Sequence, residues 1–279
     1  MLRVALPNKG ILSETAVLML KEAGYATRRD PKDLHVVDSA NGVEFFYLRP
    51  RDIATYVGAG SLDAGITGLD LLLDSRSTAL SIADLGFGGS TFRFAGPRGT
   101  FSNLQQVEGL RVATAYPALV EDFLTEQGVT ARLVGLDGAV EVAVQLGVAD
   151  IVADVVSTGN TLRQAGLEIF GPVILESSAH LILSPHAAEE PTTLLRRLNG
   201  VQVAREYVIL DYDCPLSILN EATQLTPGIE SPTISPLQDS EWVAVRALVK
   251  AADVNQKMDE LYELGARALL VSAIHAARI

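Results

Sequence analysis

Two stretches of the sequence that resemble each other constrain the fold more than any other feature. LRVALPNKGILSETAVLMLKEAGY begins at Leu2, and LRVATAYPALVEDFLTEQGV begins at Leu110. Each joins a short apolar run, a turn and a segment with apolar residues at helical spacing, and each ends near a glycine, Gly24 or Gly128, that can close a helix. A second matching pair, LDAGITGLDLL and VADIVADVVSTGNTL, follows in the same order. The repetition predicts two similar α/β lobes, and two unrelated βαβ stretches are the alternative.

The segments between the repeats predict how the chain passes from one lobe to the other. Strand-like runs alternate with helix-period segments through roughly the first 175 residues, which predicts an α/β architecture with parallel strands. The first lobe is predicted to comprise residues 1–91 and 180–203, and the second lobe residues 92–179. Because ligands of open α/β sheets bind beyond the carboxyl ends of the strands, we expect a ligand cleft between the lobes.

The pattern of the sequence changes after residue 203. REYVILDYD, PLSILNEATQL, TPGIESPTISPL, EWVAVRALV, DVNQKMDELYELG and RALLVSAI read in turn as strand, helix, strand, strand, helix and strand. This β-α-β-β-α-β order is that of a ferredoxin-like unit. Residues 204–279 are therefore predicted to form a separate domain.

Composition excludes several classes of function. A net charge of −12 and a pI of about 4.8 argue against general nucleic-acid binding, which needs a basic surface, but leave room for a locally basic pocket. The four histidines lack zinc-ligand spacing, and the single cysteine, Cys214, indicates a reducing compartment. No apolar run approaches the ~20 residues of a membrane helix, and MLRVALPNKG lacks the apolar region of a signal peptide. We expect a cytoplasmic protein that binds neither nucleic acid nor a membrane.

The run IVADVVSTGNTL, residues 151–162, indicates an anion-binding loop. Its apolar half predicts a buried strand, and helix-like sequence resumes after the small polar residues. Gly159 leaves room for a phosphate to approach the backbone N–H groups, and the N-terminus of the following helix adds partial positive charge. A capped strand-to-helix turn is the alternative, but a cap needs one hydroxyl or amide side chain and this loop has four. Asp154, near the strand end, can accept hydrogen bonds from sugar hydroxyls.

The segment EVAVQLGVADIVADVVSTGNTL, which begins at Glu141, resembles the signature segment of the ATP phosphoribosyltransferases, the family of the first enzyme of histidine biosynthesis. The resemblance extends to LRVALPNKGILSE and VEFFYLRPRDIATYVGAGSLDAGITGLDLL, and the C-terminal unit is similar to the regulatory domain of the family's long form. It implies a two-lobed, periplasmic-binding-protein-like catalytic part followed by a ferredoxin-like (ACT-like) domain. It also implies transfer of a phosphoribosyl group from 5-phosphoribosyl-1-pyrophosphate to N1 of ATP, with release of pyrophosphate.

The resemblance implies a role for each part of the signature segment. Asp154, with Glu141 as a second candidate, is the expected acceptor for the ribose hydroxyls. The 5′-phosphate is expected to bind the loop residues Ser157, Thr158, Gly159, Asn160 and Thr161. Adenine N1 already has a lone pair, so catalysis is expected from positioning and from stabilising positive charge on the ribose rather than from an obligatory general base. Mg²⁺, bound mainly through phosphates, is the expected cofactor, and no protein ligand is assigned to it.

The resemblance assigns ATP to the first lobe, through the residues Lys9, Gly10, Arg49, Asp70 and Leu71. The alternatives are a solvated turn for Lys9, a surface or ion-pair role for Arg49, and a first-turn charge that stabilises its own helix for Asp70. The predicted catalytic group comprises Asp154, Glu141, Lys9 and Arg49.

For the C-terminal domain the resemblance implies feedback inhibition by L-histidine, with AMP as a further candidate ligand. The candidate contacts are Asp213, for the ammonium or imidazole group, and Ser231, Thr233 and the backbone near Ala268. A plain turn and sheet edge is the alternative for each. The family's long form is implied to be a homodimer that becomes a hexamer when inhibited.

Two other classes of protein share this predicted architecture. A substrate-binding protein also has two α/β lobes around a cleft, and prephenate dehydratase also pairs a two-lobed catalytic part with a C-terminal ferredoxin-like regulatory domain. The loop at residues 157–161 favours phosphoribosyl transfer, and the Thr-Arg-Phe segment that prephenate dehydratase needs does not occur in the sequence.

Overall fold

The structure is a computed structural model that describes residues 1–28, 30, 32–156, 159–188 and 190–278. The chain forms two compact units, Met1–Lys21 with Tyr25–Pro191 and Glu22–Gly24 with Thr192–Ile279. The first unit contains two β-sheets and the second contains one. Among the described residues, none of the helices has the length and apolar character that a membrane crossing requires.

The elements of the first unit alternate between strands and helices. In chain order they are β1 (Leu2–Pro7), α1 (Gly10–Glu22), β2 (His35–Asp38), β3 (Val43–Leu48), α2 (Pro50–Gly58), β4 (Ala64–Gly68), α3 (Leu69–Asp74), β5 (Leu80–Asp84), β6 (Ser90–Pro97), a 3₁₀ turn (Leu104–Val107), β7 (Arg111–Thr114), α4 (Pro117–Glu126), β8 (Arg132–Gly135), α5 (Val142–Gln145), β9 (Ile151–Val156), α6 (Asn160–Gln164), β10 (Leu167–Ser177) and β11 (Ala179–Leu183). We call β1–β5 and β11 with α1–α3 the first lobe, and β6–β10 with α4–α6 the second lobe.

The two sheets have the same arrangement at their centres. The strand order is β2-β3-β1-β4-β11-β5 in the first lobe and β10-β6-β9-β7-β8 in the second. Strand β1 runs parallel to β3 and β4, as β7 runs parallel to β8 and β9. The two repeats seen in the sequence therefore occupy equivalent positions, with β1 corresponding to β7 and β4 to β9. The prediction of two similar α/β lobes is confirmed.

The prediction that the strands are parallel is wrong for the strands that carry the chain between the lobes. Strand β11 is antiparallel to β4, and β6 is antiparallel to β9. A parallel neighbour requires a long crossover connection, usually a helix, whereas these strands enter their sheet directly from the other lobe. As a result, β4 has the parallel strand β1 on one side and the antiparallel strand β11 on the other, and β9 lies in the same way between β7 and β6.

The two crossings between the lobes lie side by side. The backbone N–H of Leu85 donates to the carbonyl of Ala179 at 2.8 Å, and the N–H of Ala179 donates to the carbonyl of Phe87 at 2.8 Å. The lobe boundaries at residues 92 and 180 stay a prediction.

Close packing holds the start of α2 at the carboxyl end of the first sheet. Pro50 occupies the first helical position, where a missing N–H costs nothing because it would be unpaired. Ile53 and Val57 pack on β4, where a side chain on Gly65 would lie 2.7 Å from Ile53 Cγ2 and 3.1 Å from Val57 Cγ2. Glycine at this position lets the helix approach the strand, and this fixes where Arg49, the residue before α2, lies.

The second unit has the predicted β-α-β-β-α-β order after one additional helix. Its elements are α7 (Thr192–Glu206), β12 (Tyr207–Pro215), a 3₁₀ turn (Leu216–Ile218), α8 (Leu219–Leu225), β13 (Thr233–Pro236), β14 (Trp242–Lys250), α9 (Val254–Leu264) and β15 (Arg267–Ala273). The strands form an antiparallel sheet in the order β13-β14-β12-β15, and Leu210, Tyr212 and Leu261 are among its buried core residues.

Helix α7 lies in the second unit, whereas its residues 192–203 were predicted to belong to the first lobe. The helix runs directly into β12, and Gly200 lies so close to the carbonyl of Ala277 that no side chain fits between them. The helix therefore packs on the end of the chain.

Candidate active site

A cleft of about 1010 Å³ lies in the first unit, at the carboxyl ends of the parallel strands. The second lobe contributes Ser90, Tyr116, Asp137, Val155 and Ser177 to its lining, and the first lobe contributes most of the remainder. Every residue predicted to bind the nucleotide lines this cleft, namely Lys9, Gly10, Arg49, Asp70 and Leu71. Residues that lie far apart in the sequence are thus brought together, as expected for strand ends that meet at one edge of a sheet.

The first-lobe wall of the cleft carries three exposed cations, Lys9, Arg49 and Arg51. Lys9 lies in the turn between β1 and α1, and Gly10, at the start of α1, has a φ of +78°, a left-handed conformation that favours glycine. Arg49 immediately precedes α2 and has an extended backbone, with a φ of −63° and a ψ of 134°. Neither Lys9 nor Arg49 forms an ion pair with another described residue. Both side chains are therefore available to an anion in the cleft.

Asp70 is held by a serine on a strand that leads out of the second lobe. The Asp70 side chain is in the first turn of α3 and the residue is 7% exposed. Its backbone N–H donates to Ser177 Oγ at 3.1 Å, and the Ser177 hydroxyl donates to Asp70 Oδ1 at 2.9 Å. A buried carboxylate with one fixed oxygen differs from a solvated first-turn charge, and the Tyr116 side chain of the second lobe interacts with it as well.

Asp154 lies on β9 beside other carboxylates. Burial is the main cause that raises the pKa of Asp154 to about 6; the charges of Glu141 and Asp70 act in the same direction, and a hydrogen bond from the Val155 N–H opposes them. That N–H lies 2.8 Å from Asp154 Oδ1. The predicted pair Asp154 and Glu141 is thus close enough to interact electrostatically. The charge of Asp70, in the first lobe, also acts on Asp154.

The raised pKa of Asp154 predicts a pH-dependent change in stability. Asp154 has a pKa of about 6 in the folded chain and an ordinary value of 3.8, so the folded chain binds more protons between these values and stability falls as the pH rises through them. Asp154→Asn removes this penalty, and we expect it to stabilise the chain by on the order of 2–3 kcal/mol above about pH 6, with no gain below about pH 4. Denaturant unfolding at pH 8 and pH 4 measures the difference, and an equal effect at both pH values would contradict the assignment.

The loop predicted to bind phosphate is described only in part. Ser157 and Thr158 lie outside the described residues. Gly159 has a φ of +69° and precedes α6, in which Asn160 and Thr161 are exposed. The predicted strand is confirmed as β9, but α6 has only 5 residues. Anion binding here must therefore rely on backbone N–H and side-chain donors more than on a long helix dipole.

The sequence analysis did not include Tyr116 among the site residues, although it lines the cleft. Its ring packs edge-on against Phe92, with ring centres 5.1 Å apart. Burial raises the pKa of Tyr116, and the charge of Asp70 adds to this effect. In the repeated sequence Tyr116 corresponds to Asn8, close after the strand that begins each repeat, and this position near a strand end is the signal that could have identified it. Ser177 had no comparable signal.

The candidate effector residues of the second unit lie in two places. Ser231 and Thr233 line a cavity of about 410 Å³. Asp213 does not line that cavity and pairs across the sheet with Arg267, the neighbour of Ala268. Ala268 has a φ of +53°. The structure therefore brings these four residues together as two pairs and not as one site.

Within the described part of the chain, no group of three or more His, Cys, Asp or Glu side chains is arranged to hold a metal ion. Asp154, Glu141 and Asp70 are the carboxylates whose charges interact in the cleft region. Carboxylate oxygens of this kind suit Mg²⁺ when phosphate oxygens and water complete its coordination.

Comparisons with known proteins agree over the whole chain. A family model described as ATP phosphoribosyltransferase matches residues 49–200, and one described as HisG, C-terminal domain, matches residues 204–276. ATP phosphoribosyltransferases of Paenarthrobacter aurescens and Streptomyces coelicolor are 59% and 55% identical to this chain, with 100% of each chain covered.

A solved structure of an ATP phosphoribosyl transferase also resembles this chain. In the ATP phosphoribosyl transferase (HisG:HisZ) complex of Thermotoga maritima, one chain matches with a TM-score of 0.62 and 29% identity, covering 72% of this chain and 98% of that chain. These matches favour the ATP phosphoribosyltransferases over the alternatives of a substrate-binding protein and a prephenate dehydratase. With the predicted residues gathered in one cleft and relatives of more than half identity over their full length, the chain belongs to the ATP phosphoribosyltransferase family, whose enzymes catalyse the first step of histidine biosynthesis.

Proposed function

We propose that the cleft transfers the phosphoribosyl group of 5-phosphoribosyl-1-pyrophosphate to N1 of ATP, giving 1-(5-phosphoribosyl)-ATP and pyrophosphate. One observation carries the proposal: a single cleft is lined by Lys9, Arg49 and Asp70, and its second-lobe wall at Val155 adjoins Asp154. A cation-rich wall facing a carboxylate-bearing wall suits two substrates that both carry phosphates and a ribose.

The first lobe is the proposed site of ATP. Lys9 and Arg49 bind phosphate oxygens, Arg49 through the planar fork of its guanidinium group. Gly10 lets the chain turn without a side chain between the nucleotide and the backbone. Asp70, held by Ser177, accepts a hydrogen bond from the nucleoside, and Leu71 provides apolar contact.

The second lobe is the proposed site of phosphoribosyl pyrophosphate. Asp154 accepts hydrogen bonds from the ribose hydroxyls, with Glu141 beside it, and the loop at residues 157–161 binds the 5′-phosphate. Above about pH 6 Asp154 is ionised, and a carboxylate there stabilises the positive charge that develops on the ribose ring as pyrophosphate departs. Adenine N1 attacks with its own lone pair, so the chain contributes orientation and electrostatics rather than proton removal.

Mg²⁺ is the proposed cofactor. The ion would offset the negative charge of the departing pyrophosphate. Asp154 and Glu141 offer hard oxygen donors that suit this ion, alone or through water.

The proposed activity is tested by mixing the chain with ATP, phosphoribosyl pyrophosphate and Mg²⁺ in the presence of pyrophosphatase. We expect a rise in near-UV absorbance that depends on all three components and on the enzyme. Prephenate serves as the control substrate. Conversion of prephenate without formation of phosphoribosyl-ATP would refute the proposal.

We also infer that the second unit binds L-histidine as a feedback inhibitor, through Asp213 and the backbone near Ala268 or through Ser231 and Thr233, with AMP as a further ligand. The enzyme is proposed to be a cytoplasmic homo-oligomer, a dimer that becomes a hexamer when inhibited. A net charge of −12 supports a protein that binds neither nucleic acid nor an anionic membrane.

Replacing Asp213 tests the effector site in the full-length chain. Asp213→Asn is expected to raise the histidine concentration for half-inhibition by about 10-fold or more, because the ammonium or imidazole group loses a charged acceptor. Turnover without histidine should not change. Asp259→Asn, at an exposed position on α9, is the matched control. Unchanged inhibition in Asp213→Asn, with a loss in the double variant Ser231→Ala and Thr233→Ala, would move the site to the cavity near Ser231.

A further inference from the structure

An ion pair of the first lobe is hydrogen-bonded to the second lobe beside the cleft. Arg51 on α2 and Asp74 at the end of α3 belong to the first lobe, and Arg51 Nη1 lies 2.8 Å from Asp74 Oδ2. Arg51 Nη2 also donates to the backbone carbonyl of Ala115 in the second lobe at 2.8 Å. The Asp74 side chain is 7% exposed and that of Arg51 is 45% exposed. We call this arrangement the Arg51–Asp74 joint.

Asp74 also caps a helix of the opposite lobe. Its Oδ1 atom accepts hydrogen bonds from the backbone N–H groups of Ala118, at 3.0 Å, and Leu119, at 3.2 Å. These groups lie in the first turn of α4, where N–H groups have no partner within the helix. The residue before α4, Tyr116, makes no side-chain cap, and Pro117 has no N–H to satisfy. The first lobe therefore supplies the cap that the second-lobe helix lacks.

Tyr116 lies at the centre of this joint. The guanidinium carbon of Arg51 is 4.8 Å from the centre of the Tyr116 ring, within the range of a cation–π contact. Backbone bonds on either side of Tyr116, at Ala115 and Ala118, attach to Arg51 and Asp74. Tyr116 and Asp70 both line the cleft. The joint therefore determines the position of the Tyr116 ring relative to the proposed ATP site.

We propose that Arg51 and Asp74 are positioning residues of the transferase reaction. They hold Tyr116 and the start of α4 against the first lobe, and so complete the nucleotide side of the cleft. The inference rests on the proposed function of the cleft. Arg51 also lines the cleft, but its proposed role and that of Asp74 is to hold Tyr116 in place.

A second ion-pair group between the lobes offers a matched comparison. Arg76 contacts Glu121 at 2.8 Å and Asp122 at 2.5 Å, both on α4. The three side chains are 53%, 60% and 55% exposed, and none of them lines the cleft. Exposed pairs of this kind contribute little to stability. Arg76→Ala therefore removes an arginine from the same interface without disturbing Tyr116.

The test compares steady-state kinetics of Arg51→Ala and Arg76→Ala. Arg51→Ala is expected to raise KM for ATP by about 10-fold, because Asp74 and the Ala115 carbonyl lose a charged donor and the Tyr116 ring loses its support. KM for phosphoribosyl pyrophosphate should change by less than about 2-fold, and Arg76→Ala should leave both constants within about 2-fold of the unmodified enzyme. Arg51→Lys should recover part of the loss, since an ammonium group pairs with Asp74 but cannot span both acceptors.

A double-mutant cycle shows whether Arg51 acts through Tyr116. In a Tyr116→Ala background, Arg51→Ala should raise KM for ATP by less than about 2-fold, because its effect is already lost. An undiminished effect in that background, or equal constants for Arg51→Ala and Arg76→Ala, would overturn the inference. If Arg51→Ala does not fold, Arg51→Lys and Asp74→Asn take its place in the same cycle. An unmodified chain that forms no phosphoribosyl-ATP overturns the proposed function instead, so the two failures are distinguishable.

Discussion

Asp154→Asn is expected to lower kcat/KM for phosphoribosyl pyrophosphate by about 10²- to 10³-fold, with ATP held at saturation. The variant keeps the shape of the side chain but removes the charge that faces the developing positive charge on the ribose. Burial makes this charge more effective than an exposed one, because water screens it less. Initial rates with pyrophosphatase present measure the loss.

The same substitution separates a catalytic defect from a folding defect. Asp154→Asn is expected to be more stable than the unmodified chain at pH 8, since the penalty for a buried ionised carboxylate is gone. A less active but more stable variant cannot owe its loss to unfolding. Asp259→Asn, exposed on α9, is the control and should change neither property. Full activity in Asp154→Asn would remove Asp154 from the ribose site.

Arg49→Ala is expected to raise KM for ATP by about 10- to 100-fold, the effect of losing a hydrogen-bonded charge on a phosphate. Arg49 is exposed in the cleft, so its replacement leaves no buried group unpaired and should have little effect on the free energy of unfolding. Arg49→Lys should recover only part of the affinity, because an ammonium group lacks the planar fork of the guanidinium group. Lys9→Ala should act in the same direction.

The control for Arg49 is an arginine of the same unit outside the cleft. Arg132 on β8 is exposed and does not line the cleft, and Arg132→Ala removes the same charge from the protein as a whole. It should leave KM for ATP unchanged. If Arg49→Ala and Arg132→Ala have the same effect, the contribution of Arg49 is only a long-range effect of net charge and not a contact with phosphate.

Much of the fold was predictable because its signals are local. The strand-turn-helix repeats at Leu2 and Leu110, and the β-α-β-β-α-β order after residue 203, follow from apolar spacing and turn residues within short windows. The direction of β6 and β11 was not predictable in this way. Whether a strand runs parallel or antiparallel depends on the neighbour it meets, and that neighbour is decided by where the chain crosses between lobes.

Some residues of the candidate site were likewise predictable from the sequence, and others were not. Lys9, Arg49 and Asp70 were assigned through the family resemblance, and their positions near predicted strand ends agree with the cleft in which they lie. Ser177 and Asp74 were not found, because a serine at a strand end and an aspartate at a helix end have no pattern that distinguishes them from surface residues. Their importance depends on partners distant in sequence, Asp70 for Ser177 and the first turn of α4 for Asp74.

The sequence by itself determined the two-lobed α/β architecture, the family and the residues at the strand ends. The architecture follows from periodicity and the order of segments, and the family and site residues follow from the resemblance of local segments, all of which can be read along the chain. Only the tertiary structure decided that Asp154 is partly buried near Glu141 and Asp70, with a pKa of about 6, and that Arg51 and Asp74 contact Tyr116 and its neighbours. Burial, dielectric environment and contacts between lobes arise from groups distant in sequence, and therefore exist only once the chain has folded.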